Sequence, residues 1–109
     1  MPTVGVPDLA DGDFLLDVRE ADEWEAGHAH GALHIPMSEF VARYGELTDA
    51  APQDGRVHVI CRSGGRSAQV TAYLVNQGLD AVNVEGGMQF WEAAGRPVVT
   101  PQGQPGTVV

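Results

Sequence analysis

The feature that most restricts the fold of this chain is a series of short apolar runs that alternate with segments of helical pattern. A short run rich in β-branched side chains and bounded by turn residues predicts a buried strand. We interpret four segments as such strands, namely 14–18, 31–36, 57–60 and 81–84. Strands that alternate with helices along a chain are typical of a parallel sheet with helices on both faces. The predicted fold class is therefore α/β.

Four further segments have helical patterns, namely 20–27, 37–47, 67–77 and 86–95. In the second of them, Phe40, Tyr44 and Leu47 fall at i, i+4 and i+7, which predicts an amphipathic helix. Ser38 has the side chain expected of its N-cap. In the third segment, apolar residues fall around most of the circumference, so this helix is predicted to be well buried.

Length and composition indicate one domain followed by a short tail. The chain has 109 residues, and a domain of this size buries roughly 65% of the surface that its unfolded chain exposes, enough for one core. We place the domain at residues 1–99. Residues 100–109 are rich in proline and glycine and have no periodicity, which predicts a tail or a strap on the surface.

The composition also narrows the partners and the compartment. The formal charge is −9, so we expect neither nucleic acid nor an anionic membrane surface as a partner. No apolar run approaches the ~20 residues of a membrane span, and the first residues lack the basic and apolar regions of a signal peptide. The single cysteine cannot form an intramolecular disulfide, so a cytoplasmic location is the default expectation.

That cysteine, Cys61, ends the third predicted strand and is followed by the sequence RSGGRS. Ligands of parallel α/β sheets bind beyond the carboxyl ends of the strands, where Cys61 falls. Gly64 and Gly65 permit backbone conformations that turn successive amide groups toward one point, and the following helix adds its free N–H groups. Arg62 and Arg66 can add guanidinium donors. These residues predict a small anion-binding bowl with sulfur at its floor.

The same surroundings are expected to act on the thiol. A cysteine at a helix N-terminus beside arginines has a pKa of ~3.5–7.5 instead of ~8.5, so the thiolate is predicted to dominate at neutral pH. The alternative is a buried and inert cysteine, which is common among free thiols. We favour the reactive thiol because packing of a cysteine in the core does not require the arginines, serines and glycines that follow it. This reasoning leaves open whether the anion contains sulfur or phosphate.

Four segments resemble the signatures of rhodanese-homology domains, which are thiosulfate sulfurtransferase-like modules. They are LLDVRE (15–20), EWEAGHAHGALHIP (23–36), CRSGGRS (61–67) and VEGGMQFWEAAGRPV (84–98). The resemblance covers about residues 3–98. It implies a central parallel sheet of about five short strands with helices on both faces, and a reaction that needs no cofactor.

The resemblance makes Cys61 the catalytic residue. It implies that the thiolate attacks the outer sulfur of thiosulfate, expels sulfite and becomes a persulfide, which passes its sulfur to a thiophilic acceptor. The loop would bind the anion and stabilise the persulfide through Arg62, Ser63, Gly64, Gly65, Arg66 and Ser67. Asp17 and Arg19 would support this loop from the end of the first predicted strand, and we expect them to form an ion pair, since buried carboxylates are normally paired.

Two other functions are weighed against sulfur transfer. Protein tyrosine phosphatases place five residues between cysteine and arginine, whereas four separate Cys61 from Arg66. The shorter loop suits one sulfur atom better than a tetrahedral phosphate, and it carries no general acid for the leaving group of a phosphate ester. We therefore favour sulfur transfer over phosphatase or arsenate reductase activity. The other alternative is a sulfur-carrier or regulatory module with little turnover.

The single cysteine also restricts the acceptor. Since no second thiol can resolve a persulfide within the chain, the sulfur must pass to cyanide or to an external thiol, for example that of a thioredoxin-like or carrier protein.

A zinc site is suggested by three histidines close in sequence, His28, His30 and His34. A zinc site needs three or four converging ligands, and these histidines span a turn and a strand, so we predict no metal site. Phe90 stands where many members of the family have a smaller residue.

Overall fold

The computed structural model describes residues 1–109 and contains one five-stranded sheet in the spatial order β1-β5-β4-β2-β3, all of it parallel. The strands are β1 (Thr3–Val4), β2 (Leu15–Asp17), β3 (Leu33–His34), β4 (Val57–Ile60) and β5 (Ala81–Val84). The helices are α1 (Ala21–Ala26), α2 (Tyr44–Ala50), α3 (Gly65–Asn76) and α4 (Gly87–Ala93). None of these helices has the length and apolar character needed to cross a membrane. The predicted α/β class is confirmed.

The central strand β4 separates two apolar cores, because its side chains alternate between the two faces of the sheet. Val59 and Cys61 belong to one cluster, which also contains Leu74 of α3. Ile60 belongs to the other cluster, together with Met88 of α4. Helices thus cover both faces, as predicted, and the thiol lies on the face that α3 covers.

One strand is absent from the predicted set. Thr3 and Val4 form β1, which pairs in parallel with Asn83 and Val84 of β5 at one edge of the sheet. A strand of two residues offers no periodicity that could be recognised in the sequence. The observed number of strands agrees with the five that the resemblance implies.

The predicted helix over 37–47 is wrong as a continuous element. The chain forms a 3₁₀ turn at Met37–Glu39, then irregular turns, and becomes α-helical only at Tyr44. Ser38 is not an N-cap of this helix; its hydroxyl donates to a carboxylate oxygen of Glu20 at 2.7 Å. The aromatic spacing reflects a real contact, since the rings of Phe40 and Tyr44 pack edge to face, but burial of Phe40 is achieved by turns rather than by a helix.

The proline- and glycine-rich C-terminal segment lies across the chain that follows α1. Val99, immediately before this segment, forms an antiparallel bridge with His28, and the amide of Thr107 donates to the carbonyl of Ala26 at 3.0 Å. A Cβ added to Gly27 would come within 2.6 Å of the backbone nitrogen of Thr107. The segment therefore packs as a strap whose close approach requires a glycine at position 27.

Candidate active site

Cys61 follows β4 directly and is 1% exposed. Its carbonyl accepts a hydrogen bond from the amide of Met88 at 2.8 Å, and the carbonyl of Arg62 accepts one from the amide of Gln89 at 3.0 Å. A Cβ added to Gly87 would collide with the carbonyl oxygen of Cys61. The first turn of α4 thus anchors the loop from one side, and this is possible only because Gly87 has no side chain.

The other side of the loop is the N-terminus of α3. Gly64 is the N-cap of α3 and has a φ of 110°, a left-handed conformation that favours glycine. The amide nitrogen of Gly64 lies 3.1 Å from the Cys61 sulfur, and the Ser67 hydroxyl oxygen lies 3.2 Å from it. The predicted arrangement of sulfur beneath amide donors at a helix N-terminus is present in the structure.

These contacts determine the ionisation of the thiol. Burial of Cys61 raises the pKa of the thiol, because a charge is poorly solvated in the interior. Hydrogen bonds to the thiolate from the Ser67 hydroxyl and from the amides of Ser67, Gly64 and Ser63 act in the opposite direction. The hydrogen bonds outweigh burial, so the pKa of Cys61 lies below its ordinary value. At a given pH, Cys61 therefore has a larger fraction of the nucleophilic thiolate than an ordinary cysteine.

The two loop arginines have partners within the chain. Arg66 makes a two-pronged ion pair with Glu23 of α1, with nitrogen–oxygen distances of 2.6 and 2.8 Å. The hydrogen bonds from Arg66 lower the pKa of Glu23, although partial burial opposes them. Arg62 donates from Nε to a main-chain oxygen of Val109, the last residue, at 2.9 Å. The role of both arginines in orienting an anion stays a prediction, and it requires that each guanidinium share or exchange its present partner.

Asp17 and Arg19 form a fully buried pair at the carboxyl end of β2. Both side chains are 0% exposed, and Arg19 Nη2 lies 2.8 Å from an Asp17 oxygen. The same nitrogen donates to the carbonyl of Gly27 at 2.8 Å, which ties the end of β2 to the end of α1. No hydrogen bond joins this pair to residues 61–67. The expected ion pair is present, and it holds α1 in place rather than the loop itself.

Two residues near the thiol were not identified from the sequence. Asn83 on β5 is 8% exposed, and its side-chain oxygen lies 2.6 Å from the Ser67 hydroxyl oxygen. Its side-chain nitrogen donates to the Gly64 carbonyl at 3.3 Å. The signal available was a single amide within the apolar strand AVNV. Glu23, the partner of Arg66, is the other residue that the sequence pattern does not single out.

The histidines do not converge on a metal site. His28 and His34 both stack on Trp24, with ring centroids 3.5 and 4.5 Å from that of the tryptophan. His30 is exposed. No group of three or more potential ligands is close enough to hold a metal ion. This cluster packs α1 against β3.

The surface pockets lie away from the thiol. The largest, of about 450 Å³, is lined by Phe14, Arg56 and His58 near the amino ends of β2 and β4. No residue from 61 to 67 lines this pocket or any of the other four. Phe90 is exposed, and its ring covers Gly86 beside the loop. The surroundings of Cys61 thus offer donors for a small group rather than a deep cleft for a large substrate.

Comparison with known proteins identifies the family. Residues 7–94 match the model of the rhodanese-like domain. The chain is 40% identical to a sulfurtransferase of Allochromatium vinosum, over 87% of this chain and 88% of that protein. It is 39% identical to the thiosulfate sulfurtransferase GlpE of Actinobacillus succinogenes, over 82% and 78% of the two chains. The crystal structure of a rhodanese-related protein from Thermoplasma volcanium superposes with a TM-score of 0.80 at 34% identity, covering 91% of this chain and 98% of that one. The chain therefore belongs to the rhodanese-like domain family.

Proposed function

We propose that this protein is a sulfurtransferase that moves a sulfane sulfur from thiosulfate, or from a persulfide donor, to a thiophilic acceptor through a persulfide on Cys61. The proposal depends on one observation, the hydrogen bonding of the Cys61 sulfur by the Gly64 amide and the Ser67 hydroxyl at the start of α3. These donors favour the thiolate, which is the nucleophilic form. The sulfurtransferase names of the relatives support the same class of reaction.

In the first half of the reaction, the Cys61 thiolate attacks the outer sulfur of thiosulfate. A bond forms between the two sulfurs, the sulfur–sulfur bond of thiosulfate breaks, and sulfite leaves with the electron pair. Cys61 then carries a persulfide whose negative charge lies on the outer sulfur, within reach of the amides at the start of α3. Arg66 would exchange the carboxylate of Glu23 for thiosulfate during binding, since two oxygens of the tetrahedral anion can accept the paired guanidinium hydrogen bonds that the carboxylate oxygens accept.

In the second half, an external thiolate or cyanide attacks the outer sulfur, and Cys61 leaves as a thiolate. Because the chain has one cysteine, the acceptor must be another molecule, and we propose a small thiol or a thioredoxin-like or carrier protein. A cytoplasmic location and the identity of the acceptor stay predictions. Capture of proteins by the persulfide form, with the Cys61→Ser protein as control, would identify the acceptor.

The direct test combines turnover with intact mass. Thiosulfate and cyanide should yield thiocyanate, and thiosulfate alone should raise the mass of the protein by one sulfur atom. Cys61→Ser should abolish both signals while keeping the fold. Hydrolysis of an aryl phosphate without thiocyanate formation would instead indicate a thiolate phosphatase. Sulfur uptake with negligible thiocyanate turnover would indicate a carrier module, and a reactive thiol that takes up no sulfur would reject the proposal.

A further inference from the structure

The polar atoms behind the thiol form a short chain from Cys61 to Asn83. The Ser67 hydroxyl oxygen lies 3.2 Å from the Cys61 sulfur and 2.6 Å from the Asn83 side-chain oxygen. Asn83 also donates from Nδ2 to the Gly64 carbonyl at 3.3 Å. Cys61, Ser67 and Asn83 are 1%, 0% and 8% exposed, respectively, so their hydrogen bonds are made almost entirely within the protein.

The orientation of Asn83 determines where the Ser67 proton lies. A backbone carbonyl can only accept, so the side of the amide that faces Gly64 must be Nδ2. The side that faces Ser67 is therefore Oδ1, which also can only accept. Ser67 has a single hydroxyl proton, and two oxygens 2.6 Å apart need a proton between them; Asn83 Oδ1 has none, so the proton of Ser67 lies on this bond while Cys61 is protonated. In this arrangement the Ser67 oxygen can accept the weak S–H bond of a protonated Cys61 but cannot donate to its sulfur.

Ionisation of Cys61 reverses this arrangement. A thiolate has no proton to offer and is a strong acceptor, so the Ser67 hydroxyl must rotate its proton from Asn83 to the sulfur. The Asn83 oxygen then loses its donor in a buried position, which is unfavourable. When Cys61 carries a second sulfur, the negative charge moves to the outer sulfur and the inner one becomes a poor acceptor. The Ser67 proton can then return to Asn83.

We propose that Asn83 is a positioning residue that competes with Cys61 for the Ser67 hydroxyl proton, holding it while the inner sulfur is neutral and releasing it when Cys61 is a thiolate. Asn83 thereby favours the thiol and the sulfur-loaded form over the free thiolate. The consequence for the loaded form rests on the proposed function, whereas the consequence for the thiol does not.

Loss of Asn83 need not disturb the loop, because other bonds hold it. The Gly64 carbonyl also accepts the amide of Ala68 at 3.1 Å, the first hydrogen bond of α3. The amides of Met88 and Gln89 hold the loop from α4. Asn83→Leu, which is similar in size and apolar, therefore removes the acceptor for Ser67 while leaving the backbone donors of the loop in place.

Charged groups on the neighbouring elements are separate from this chain of hydrogen bonds. The charged groups nearby are Arg62 in the loop, Arg66 on α3 with its partner Glu23 from α1, the Asp17–Arg19 pair at the end of β2, and the exposed Glu85 after β5. None of these groups forms a hydrogen bond with the side chain of Ser67 or Asn83. Substitution of Asn83 leaves each of these charges in place, so a change in thiol ionisation can be assigned to the Ser67 proton.

The test measures the rate of alkylation of Cys61 by iodoacetamide as a function of pH, in the absence of any sulfur donor. Asn83→Leu should lower the pKa of the thiol by about one pH unit, since a buried acceptor no longer has to be left without a donor. Ser67→Ala should raise the pKa of the thiol, and Asn83→Leu should add no further change in that background. Thr71→Val is the matched control, because Thr71 is a buried hydroxyl that donates to the Ser67 carbonyl and not to its side chain; it should leave the profile unchanged.

An unchanged or raised pKa in folded Asn83→Leu would overturn the proposal, as would an equal shift in the presence and absence of Ser67. Circular dichroism verifies folding, and Asn83→Val, whose β-branched side chain suits a strand, replaces the leucine variant if that one does not fold.

In a second measurement, protein loaded from thiosulfate is mixed with dithiothreitol, and the loss of its extra sulfur is followed by intact mass. Asn83→Leu should lose its sulfur faster, because a thiolate of lower pKa leaves faster; equal or slower loss rejects the effect on the loaded form. Failure of the unaltered protein to load would reject the proposed function alone, since the alkylation profile is independent of it.

Discussion

Two arginine–carboxylate pairs flank the candidate active site, and they differ both in burial and in the length of chain between their members. Arg19 and Asp17 are two residues apart, and both side chains are 0% exposed. Arg66 and Glu23 are separated by 43 residues, and their side chains are 34% and 14% exposed. Each pair is joined by at least two nitrogen–oxygen contacts of 2.6–3.1 Å, so the distances alone do not distinguish them.

Their surroundings give the two pairs different roles. If either member of the buried pair lost its partner, it would remain as a charge without water, so this pair is a permanent connection between β2 and the end of α1. The exposed part of the second pair lets water solvate Glu23 if Arg66 turns to another anion. The same kind of contact is therefore structural at Arg19 and exchangeable at Arg66, where a substrate could take the place of the carboxylate.

The largest effect should come from breaking the buried pair. We expect Arg19→Met to lower the free energy of unfolding by about 3–5 kcal/mol, because Asp17 is left as a buried, uncompensated charge. Arg66→Met should lower it by about 1 kcal/mol or less. Urea denaturation of both variants measures the difference. Equal losses in the two variants would contradict the distinction drawn between the pairs.

The next effect concerns binding. Arg66→Ala should raise the KM for thiosulfate by roughly tenfold, the cost of one lost charge-assisted hydrogen bond. It should also raise the pKa of the Cys61 thiol, since it removes a positive charge that interacts with Cys61 and leaves Glu23 unpaired. Steady-state kinetics and the alkylation profile test the two halves separately. A profile identical to that of the unaltered protein would contradict the electrostatic role of Arg66.

The smallest effect should come from Glu23→Gln, which keeps the shape of the partner and removes its charge. Because Arg66 no longer has to leave a carboxylate, the KM for thiosulfate should fall by about two- to fivefold. The hydrogen bonds from Arg66 lower the pKa of Glu23 below 4.5, so its contribution to stability is present above the unfolded pKa and lost as the pH falls through the folded one. Denaturation at several acidic pH values should show this dependence in the unaltered protein and not in Glu23→Gln. A raised KM would indicate that Glu23 positions Arg66 for the substrate instead.

Much of the fold could be predicted because it depends on local patterns. Short apolar runs and glycine-terminated helical segments give the order of elements in the α/β domain. The pattern failed where tertiary contacts override it. Thr3–Val4 become a strand only because β5 offers a free edge, and the segment 37–47 is broken into turns although its aromatic spacing suits a helix.

The candidate site divides in the same way. Cys61 lies between a strand and a helix in the sequence, so chain connectivity alone puts it at the carboxyl edge of the sheet, with Gly64 and the amides of α3 beside it. Local chain geometry therefore determined where the Cys61 sulfur lies and which backbone amides lie beside it. The side-chain partners were decided by the tertiary structure, because Glu23 reaches Arg66 from 43 residues away and Asn83 reaches Ser67 from 16 residues away. Such contacts depend on the spatial order of the strands in the sheet, which places β5 and α1 next to the loop. No short stretch of sequence contains that order, so these partners could not be predicted from the sequence.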